Sequence, residues 1–331
     1  MSDIITVKNL VEVYSDGTKA VDDVSFTVKE GDFFGFLGPN GAGKSTTIKI
    51  LTTLLRKTSG QVTVAGFDIE KDAAAIRKTI GVQNQETTVD GDLTGRENLE
   101  LQGHFYQMPT REIKERVDEL LKLVGLESAA NRRARNYSGG MKKRLDLATA
   151  IVHKPKLLFL DEPTTGLDPQ SRAAIWDYLQ QINKQEAITI FLTTQYLDEA
   201  DKLCKRLAIV DFGKIVASGT PSELKKQVGA DSIRIGLENC DRDRPKAKSI
   251  VKTMMGVTDI KDAEECILVY AQNAASLIAD IVRALDSTDI RITSVTFSQP
   301  SLDDVFIKHT GRRIRAEELV KAPSGMFGGR R

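Results

Sequence analysis

The sequence predicts an α/β fold built on a mostly parallel sheet, followed by a smaller α+β unit. Residues 157–160, all apolar, and 188–192, apolar but for Thr189, are short runs of the kind buried on both faces of a parallel sheet. Segments with helical spacing lie between and around them, so strands and helices alternate along the chain. Residues 33–37 form a third apolar run, which leads straight into a glycine-rich turn and then into a helix that starts near Lys44.

The remaining elements follow in order. Residues 4–13 and 21–28 read as two strands with Asp16 and Gly17 between them, an antiparallel edge. Over 111–124 the apolar residues Ile113, Val117, Leu120, Leu121 and Val124 recur at helical spacing, with charges on the other face. Helices are expected around 171–184 and 197–203. A domain boundary is expected near Gly229, dividing the chain into 1–229 and 230–310. Beyond it come strand 232–237, a helix near 245–255, strands 257–262 and 266–270, helix 274–285 and strand 290–297. That order, β-α-β-β-α-β, is the split βαβ arrangement of a ferredoxin-like domain. A short amphipathic segment occupies 302–308. Residues 311–331 carry six Lys or Arg against Glu317 and Glu318 and are expected to form a flexible basic tail.

Composition narrows the function class. Of 331 residues 40% are hydrophobic and 28% charged, ordinary values for a soluble globular protein. Lys plus Arg (47) balance Asp plus Glu (46), which argues against a protein that holds nucleic acid by charge. No apolar run approaches the roughly 20 residues that span a bilayer. The first residues lack the basic and apolar regions of a secretory signal. Cys204, Cys240 and Cys266 are scattered and form no CxxC pair, which fits a reduced cytosolic compartment rather than a disulfide frame or zinc site. His104, His153 and His309 lie far apart and read as surface or core residues.

Three motifs carry chemistry. Residues 38–45 satisfy GxxxxGK[ST] between a strand and a helix. Gly38, Gly41 and Gly43 let the backbone wrap around phosphates with its N–H groups inward, and Asn40 lies in the same loop. The helix start adds a positive dipole end. Lys44 suits the β- and γ-phosphates, and the Ser45 hydroxyl suits Mg²⁺. The second motif is Asp161-Glu162 at the end of the apolar run 157–160, where open α/β sheets bind ligands. Asp161 suits Mg²⁺ as an indirect ligand, through water or another ligand of the ion, and Glu162 suits a general base for attacking water. The third is Ser138-Gly139-Gly140, which opens a helix with free N–H groups; read alone, it is an N-cap and a turn.

Taken together, these motifs resemble the ATP-binding subunits of ABC transporters over about residues 4–228. The resemblance implies a P-loop NTPase of ABC type with a helical subdomain over about 86–153, with ATP and Mg²⁺ as ligands. Residues 38–46, ending at Thr46, resemble Walker A; Asp161 and Glu162 resemble Walker B with its catalytic glutamate; residues 138–141 resemble the ABC signature. Asp168 stands in a D-loop-like Gly-Leu-Asp. Tyr14 resembles the aromatic residue that stacks on adenine, and Gln85 the Q-loop glutamine that also ligands Mg²⁺, with Gln83 as the competing position. The phrases at 93–99, 193–200 and 301–306 are similar to the daunorubicin-resistance branch of drug exporters, whose subunits often carry an accessory C-terminal domain. One residue departs from the family pattern. Gln195 stands where most members have a histidine at the γ-phosphate, and an amide can donate a hydrogen bond there but cannot carry a positive charge.

The resemblance further implies a head-to-tail homodimer, each ATP held between Walker A of one copy and the signature of the other. It implies a separate integral membrane permease, no nucleic acid partner, and a position on the cytoplasmic face of the cell membrane. The expected activity is ATP hydrolysis that powers export of a drug-like, lipid or polysaccharide substrate. A soluble ABC ATPase without a transport role and a nucleotide-dependent regulatory protein stay open as alternatives at this point.

Overall fold

The computed structural model describes residues 2–229, 231–263, 266–271, 274–288 and 290–310, which divide into two compact units, 2–220 and 221–310. The tail expected over 311–331 lies outside the described residues.

The first unit opens with the antiparallel pair β1 (Asp3–Val13) and β2 (Lys19–Lys29). Along β2, Val24, Phe26 and Val28 are buried while Ser25 and Thr27 face outward, the period of a half-buried strand. β3 (Phe33–Leu37) is buried at every position and runs into α1 (Lys44–Leu51). Then follow β4 (Ser59–Val64), β5 (Phe67–Asp68), α2 (Ala73–Thr79) and β6 (Ile80–Gln83). Three helices come next: α3 (Gly95–Phe105), α4 (Thr110–Leu123) and α5 (Gly139–Ala150). The chain returns as β7 (Leu157–Asp161), α6 (Pro169–Gln185), β8 (Thr189–Thr194), α7 (Leu197–Leu203), β9 (Arg206–Asp211) and β10 (Lys214–Gly219).

Two sheets result. The order β2-β1-β4-β5 is antiparallel throughout, and the order β10-β9-β3-β8-β7-β6 is parallel except for β10. They pack through an aromatic cluster. Phe191 of β8 lies between 5.5 and 5.9 Å, centroid to centroid, from Phe26, Phe34, Phe36 and Phe159. Every residue of β3, β7 and β8 is buried, the polar Asp161, Thr189, Thr193 and Thr194 included.

The helices between β6 and β7 have their own signals. Thr94 and Glu97 form a complete capping box at the start of α3. α4 buries Ile113, Val117, Leu120 and Leu121, the predicted stripe, together with Arg116. Arg116 reaches Glu186 after α6 through both terminal guanidinium nitrogens, at 2.8 and 3.2 Å, and donates to the carbonyl of Ile151 at 3.1 Å. A buried guanidinium needs such a partner set, so this fork fastens the helical segment to the sheet unit.

The second unit comprises α8 (Pro221–Val228), β11 (Asp231–Leu237), α9 (Cys240–Lys252), β12 (Val257–Ala263), β13 (Cys266–Ala271), α10 (Ala274–Asp286), β14 (Ile292–Ser298) and α11 (Leu302–Thr310). Its antiparallel sheet has the order β12-β13-β11-β14, the split βαβ topology. Ile233, Ile235, Ile267 and Val269 of the sheet form one core with Val251 of α9 and Ile281 and Leu285 of α10. α9 starts at Cys240 rather than at Pro245, which sits inside its second turn. The units divide one helix ahead of Gly229, because α8 packs on α11, burying Leu224, and Lys308 Nζ donates to the carbonyl of Gln227.

The aromatic cluster yields a stability prediction. Phe191→Ala removes the ring shared by four neighbours, and we expect it to lower the unfolding free energy of the first unit by about 3–5 kcal/mol. Urea titration followed by circular dichroism checks this.

Candidate active site

The phosphate loop owes its shape to close packing at two glycines. A Cβ on Gly38 would lie 2.3 Å from the carbonyl oxygen of Val210 in β9. At Gly43 φ is +94°, and a Cβ would lie 2.2 Å from the carbonyl oxygen of Ala20 in β2. Gly43 is also the N-cap of α1 and offers no side-chain acceptor, so the first N–H groups of the helix keep their capacity for an anion. The loop is tied to the sheet by a hydrogen bond from Gly38 N to the carbonyl of Thr194, at 3.1 Å.

Lys44 is only 4% exposed. Its ammonium donates to the carbonyls of Gly38 and Pro39, at 2.8 and 3.0 Å, and pairs with Glu162 Oε1 at 3.0 Å. The ammonium's three donors therefore all have acceptors. Ser45 Oγ donates to Asp161 Oδ1 at 3.2 Å, and Thr193 Oγ1 donates to the same oxygen at 2.6 Å.

Successive side chains on an extended strand point to opposite faces. Asp161 and Glu162 are successive, yet both reach the phosphate loop. The backbone resolves this: β7 ends at Asp161, and Glu162 has φ of +48°, a left-handed conformation that an ordinary residue holds only when its surroundings enforce it. Here Glu162 N donates to Thr193 O and Oγ1, at 3.1 and 3.2 Å, while its carboxylate is held by Lys44 and by Thr165 Oγ1 at 3.2 Å. The turn swings the second carboxylate to the same side as the first.

An open cleft of about 470 Å³ lies over this loop. Asn40, Gly41, Gly43, Lys44, Ser45, Thr46 and Glu162 line it on one side, and Tyr14 and Gln85 on others. The Tyr14 hydroxyl shares a hydrogen bond with Thr46 Oγ1 at 3.0 Å, and its ring stays 38% exposed. The donor set suits a nucleotide with a divalent cation: backbone N–H groups and an ammonium for phosphate, a hydroxyl and a carboxylate for the hard cation. Gln83, the competing glutamine, does not line the cleft. It is buried at the end of β6, and its Oε1 has no hydrogen-bond partner. Gln195 follows directly on Thr194, the residue bonded to Gly38; its Oε1 is buried without a partner, and it is not in the cleft lining.

Ser138, Gly139 and Gly140 lie elsewhere. Ser138 caps α5, accepting from Met141 N at 3.3 Å. A Cβ on Gly140 would lie 3.0 Å from Ser171 Oγ, which leaves room for little beyond hydrogen. Ser138, Gly140, Met141, Gln170 and Ser171 border a separate hollow of about 220 Å³, which shares no lining residue with the cleft. Asp168 caps α6 through Ser171 N and Oγ, at 3.0 and 2.6 Å, and these bonds hold its carboxyl below the ordinary 3.8. One chain thus presents two separate surfaces.

The sequence reading did not single out Thr193, Thr165 or Glu199. Glu199 of α7 is fully buried and accepts from Thr164 Oγ1 and Trp176 Nε1, both at 2.9 Å, joining the turn after Glu162 to the helix after Gln195. Burial pushes its carboxyl above the ordinary 4.5. For Thr193 the available signal was a polar residue at the end of an otherwise apolar run; Thr165 and Glu199 carried no such signal.

Phosphate loop, paired carboxylates and Ser-Gly-Gly helix start on a parallel sheet define a P-loop ATPase of the ABC class. Comparison with known proteins agrees. A family model described as ABC transporter matches residues 21–165, and one described as the C-terminal domain of DrrA1-3-like ATP-binding proteins matches 219–310. The chain is 41% identical to the daunorubicin/doxorubicin resistance ATP-binding protein DrrA of Streptomyces peucetius, over 93% of this chain and 92% of that one. It is 35% identical to a Nod factor export ATP-binding protein I of Cupriavidus metallidurans, over 95% of this chain and all of that one. Among solved structures, the dimeric cassette MJ0796 bound to ADP and phosphate in a post-hydrolysis state is 28% identical, with a TM-score of 0.60, covering 65% of this chain and 98% of that one. The chain belongs to the ATP-binding subunits of ABC exporters, in the daunorubicin-resistance branch, and is an ATPase subunit that powers export.

Two predictions follow from the packing. Gly43→Ala combines an unfavourable φ with a backbone clash, and we expect loss of nucleotide binding while the fold persists, read by titration with a fluorescent ATP analogue. For Glu199, a folded-state pKa above 4.5 means that the native chain keeps a proton the unfolded chain has lost. Its contribution to stability is full below 4.5 and is lost as the pH rises through the folded value. Glu199→Gln has no proton to lose, so unfolding free energies measured from acid to neutral pH should decline less in the variant than in the wild type.

Proposed function

We propose that two copies of this chain bind two ATP molecules head to tail, each nucleotide between the phosphate loop of one copy and Ser138, Gly139 and Gly140 of the other. The observation that carries this reading is the separation of the two surfaces on one chain, each complete in its own chemistry and neither sufficient alone. The dimeric state named for the MJ0796 cassette supports it.

In this reading the N–H groups of the loop and Lys44 hold the β- and γ-phosphates. Ser45, Asp161 and Gln85 hold Mg²⁺, which supplies charge neutralisation on the phosphate oxygens. Tyr14 stacks on the adenine through its exposed ring. Glu162 accepts the proton of the attacking water, and its pairing with Lys44 aims it at the loop. The Gln195 amide donates to the γ-phosphate, and Asp168 acts across the interface beside the partner's nucleotide.

Closure of the pair becomes transport only if it moves something in the membrane. No helix among the described residues is long and apolar enough to cross one. We therefore assign the channel to a separate integral membrane permease and place this chain against it on the cytoplasmic face. The groove bordered by Arg77, Val82, Asn84, Gln102 and Tyr106 suits a docked segment of that permease. It adjoins the Gln85 segment, and Leu54 in its wall is 63% exposed, with Phe105 of α3 70% exposed nearby in sequence. The substrate is of the drug-like, lipid or polysaccharide kind, selected by the permease, and the near-neutral charge leaves no nucleic acid partner in view.

The test is a pair of variants. Glu162→Gln should still bind ATP while phosphate release falls at least about a hundredfold, the scale of a lost general base; undiminished turnover would remove Glu162 from that role. Gln195→Ala should lose most of the activity, whereas a wild-type rate would show Gln195 to be a bystander.

A further inference from the structure

The segment that brings Gln85 into the cleft is gripped from α5. Lys143 Nζ donates to the backbone carbonyl of Gln85 at 2.6 Å. Three residues further along the helix, Asp146 Oδ1 accepts from both Thr88 N and Thr88 Oγ1, each at 2.9 Å. Residues at this spacing stand on one face of a helix, so the two contacts form a single two-point clamp. Neither end is freely solvated. Asp146 is buried and Lys143 is half-buried; burial pulls the ammonium's pKa down, while Asp146 and Asp161 favour its charged form. The Lys143 bond to Gln85 is exposed and the Asp146 bonds to Thr88 are half-buried, and a hydrogen bond to a charged group outweighs one between neutral groups.

The same helix begins at the Ser138 cap. From Ser138 to Lys143 the axial distance is only about 7.5 Å at the helical rise. A helix this short does not bend without a break in its hydrogen bonding, and α5 contains no proline or internal glycine after its first turn. Whatever displaces Ser138 therefore also pulls on the backbone of Gln85.

We infer that Lys143 and Asp146 are positioning residues that lock the Gln85 segment to α5, so that the nucleotide cleft and the Ser-Gly-Gly surface of one chain shift as one body. The inference rests on the head-to-tail dimer proposed above. In that dimer Gln85 attends the chain's own nucleotide and Ser138 the partner's. The clamp is then the link by which occupation of one cleft is felt at the other, a coupling between two distinct sites.

The experiment is ATP titration of the full-length chain as wild type, Lys143→Met, Lys143→Arg and Thr88→Val. Hydrolysis gives kcat and the Hill coefficient, light scattering in the Glu162→Gln background gives ATP-driven association, and a fluorescent ATP analogue gives the affinity of the single chain. The wild type should associate with ATP and hydrolyse it with a Hill coefficient above one. Lys143→Met keeps the length of the side chain but no donor. It should lower kcat about tenfold, the scale of one lost charge-assisted hydrogen bond, with the Hill coefficient falling to one and single-chain affinity unchanged. Lys143→Arg should restore both kcat and cooperativity, which a general loss of packing would not. Should Lys143→Met fail to fold, Thr88→Val removes a single hydroxyl and should still lower the Hill coefficient. Wild-type kcat and cooperativity in Lys143→Met, or in Thr88→Val when it stands in, overturn the inference while leaving the dimer intact. A wild type that does not associate with ATP overturns the dimer reading itself, and the clamp's role with it.

Discussion

The parallel register of three buried strands is the constraint on which the site depends. β3, β8 and β7 are neighbours in the sheet; Leu37 pairs with Thr194, and Thr193 with Asp161. Their carboxyl ends therefore finish at one level. Each contributes one part there: the phosphate loop after β3, the carboxylates at the end of β7, and the Thr193 hydroxyl with Gln195 beyond it on β8. A slip of one residue would turn Thr193 to the other face and leave Asp161 without its 2.6 Å partner. The phenylalanine cluster makes such a slip costly, because Phe191 of β8 packs against Phe26 of the other sheet and against Phe34, Phe36 and Phe159 of its own. Core and catalytic geometry are thus two readings of the same pairing.

Much of this was legible in the residues. Residues 157–160 and 188–192 predicted buried parallel strands, and the 38–45 pattern predicted the loop between β3 and α1. The split βαβ order in the second unit also followed from the alternation of strand and helix patterns. Where the reading fell short, the physical signal was weak or three-dimensional. The elements from Ser59 to Gln83 are short, and their apolar residues alternate too briefly to separate strand from turn. Pro245 suggested a helix start, yet the helix begins at Cys240. The φ of +48° at Glu162 has no sequence signature; motif spacing says that two carboxylates are present, not that the second must turn back on itself to be useful. Gln83 and Gln85 were separable only by position: one is buried against the sheet and the other borders the cleft.

Polar residues did most of the joining between elements. Arg116 binds α4 to the end of α6, Glu199 binds the turn after Glu162 to α7, and Asp146 binds α5 to the segment after β6. Each is buried, and each would be costly if left alone. These joining partners lie far away in sequence, from 23 residues for Glu199 with Trp176 to 70 for Arg116 with Glu186, so no local pattern announces them. They add specific ties between elements of the first unit to its continuous apolar core.

The place of α8 has a practical side. Leu224 is fully buried through the packing of α8 on α11, and Lys308 binds the carbonyl of Gln227. A truncation after Gly229 would leave the amino-terminal fragment with a helix whose apolar face has lost its cover, and the carboxy-terminal fragment with an unpartnered α11. Both pieces would then carry a sticky patch that invites aggregation and could be mistaken for an intrinsic instability of the ATPase. A cut between Thr220 and Pro221 keeps α8 with α11, the helix that covers Leu224.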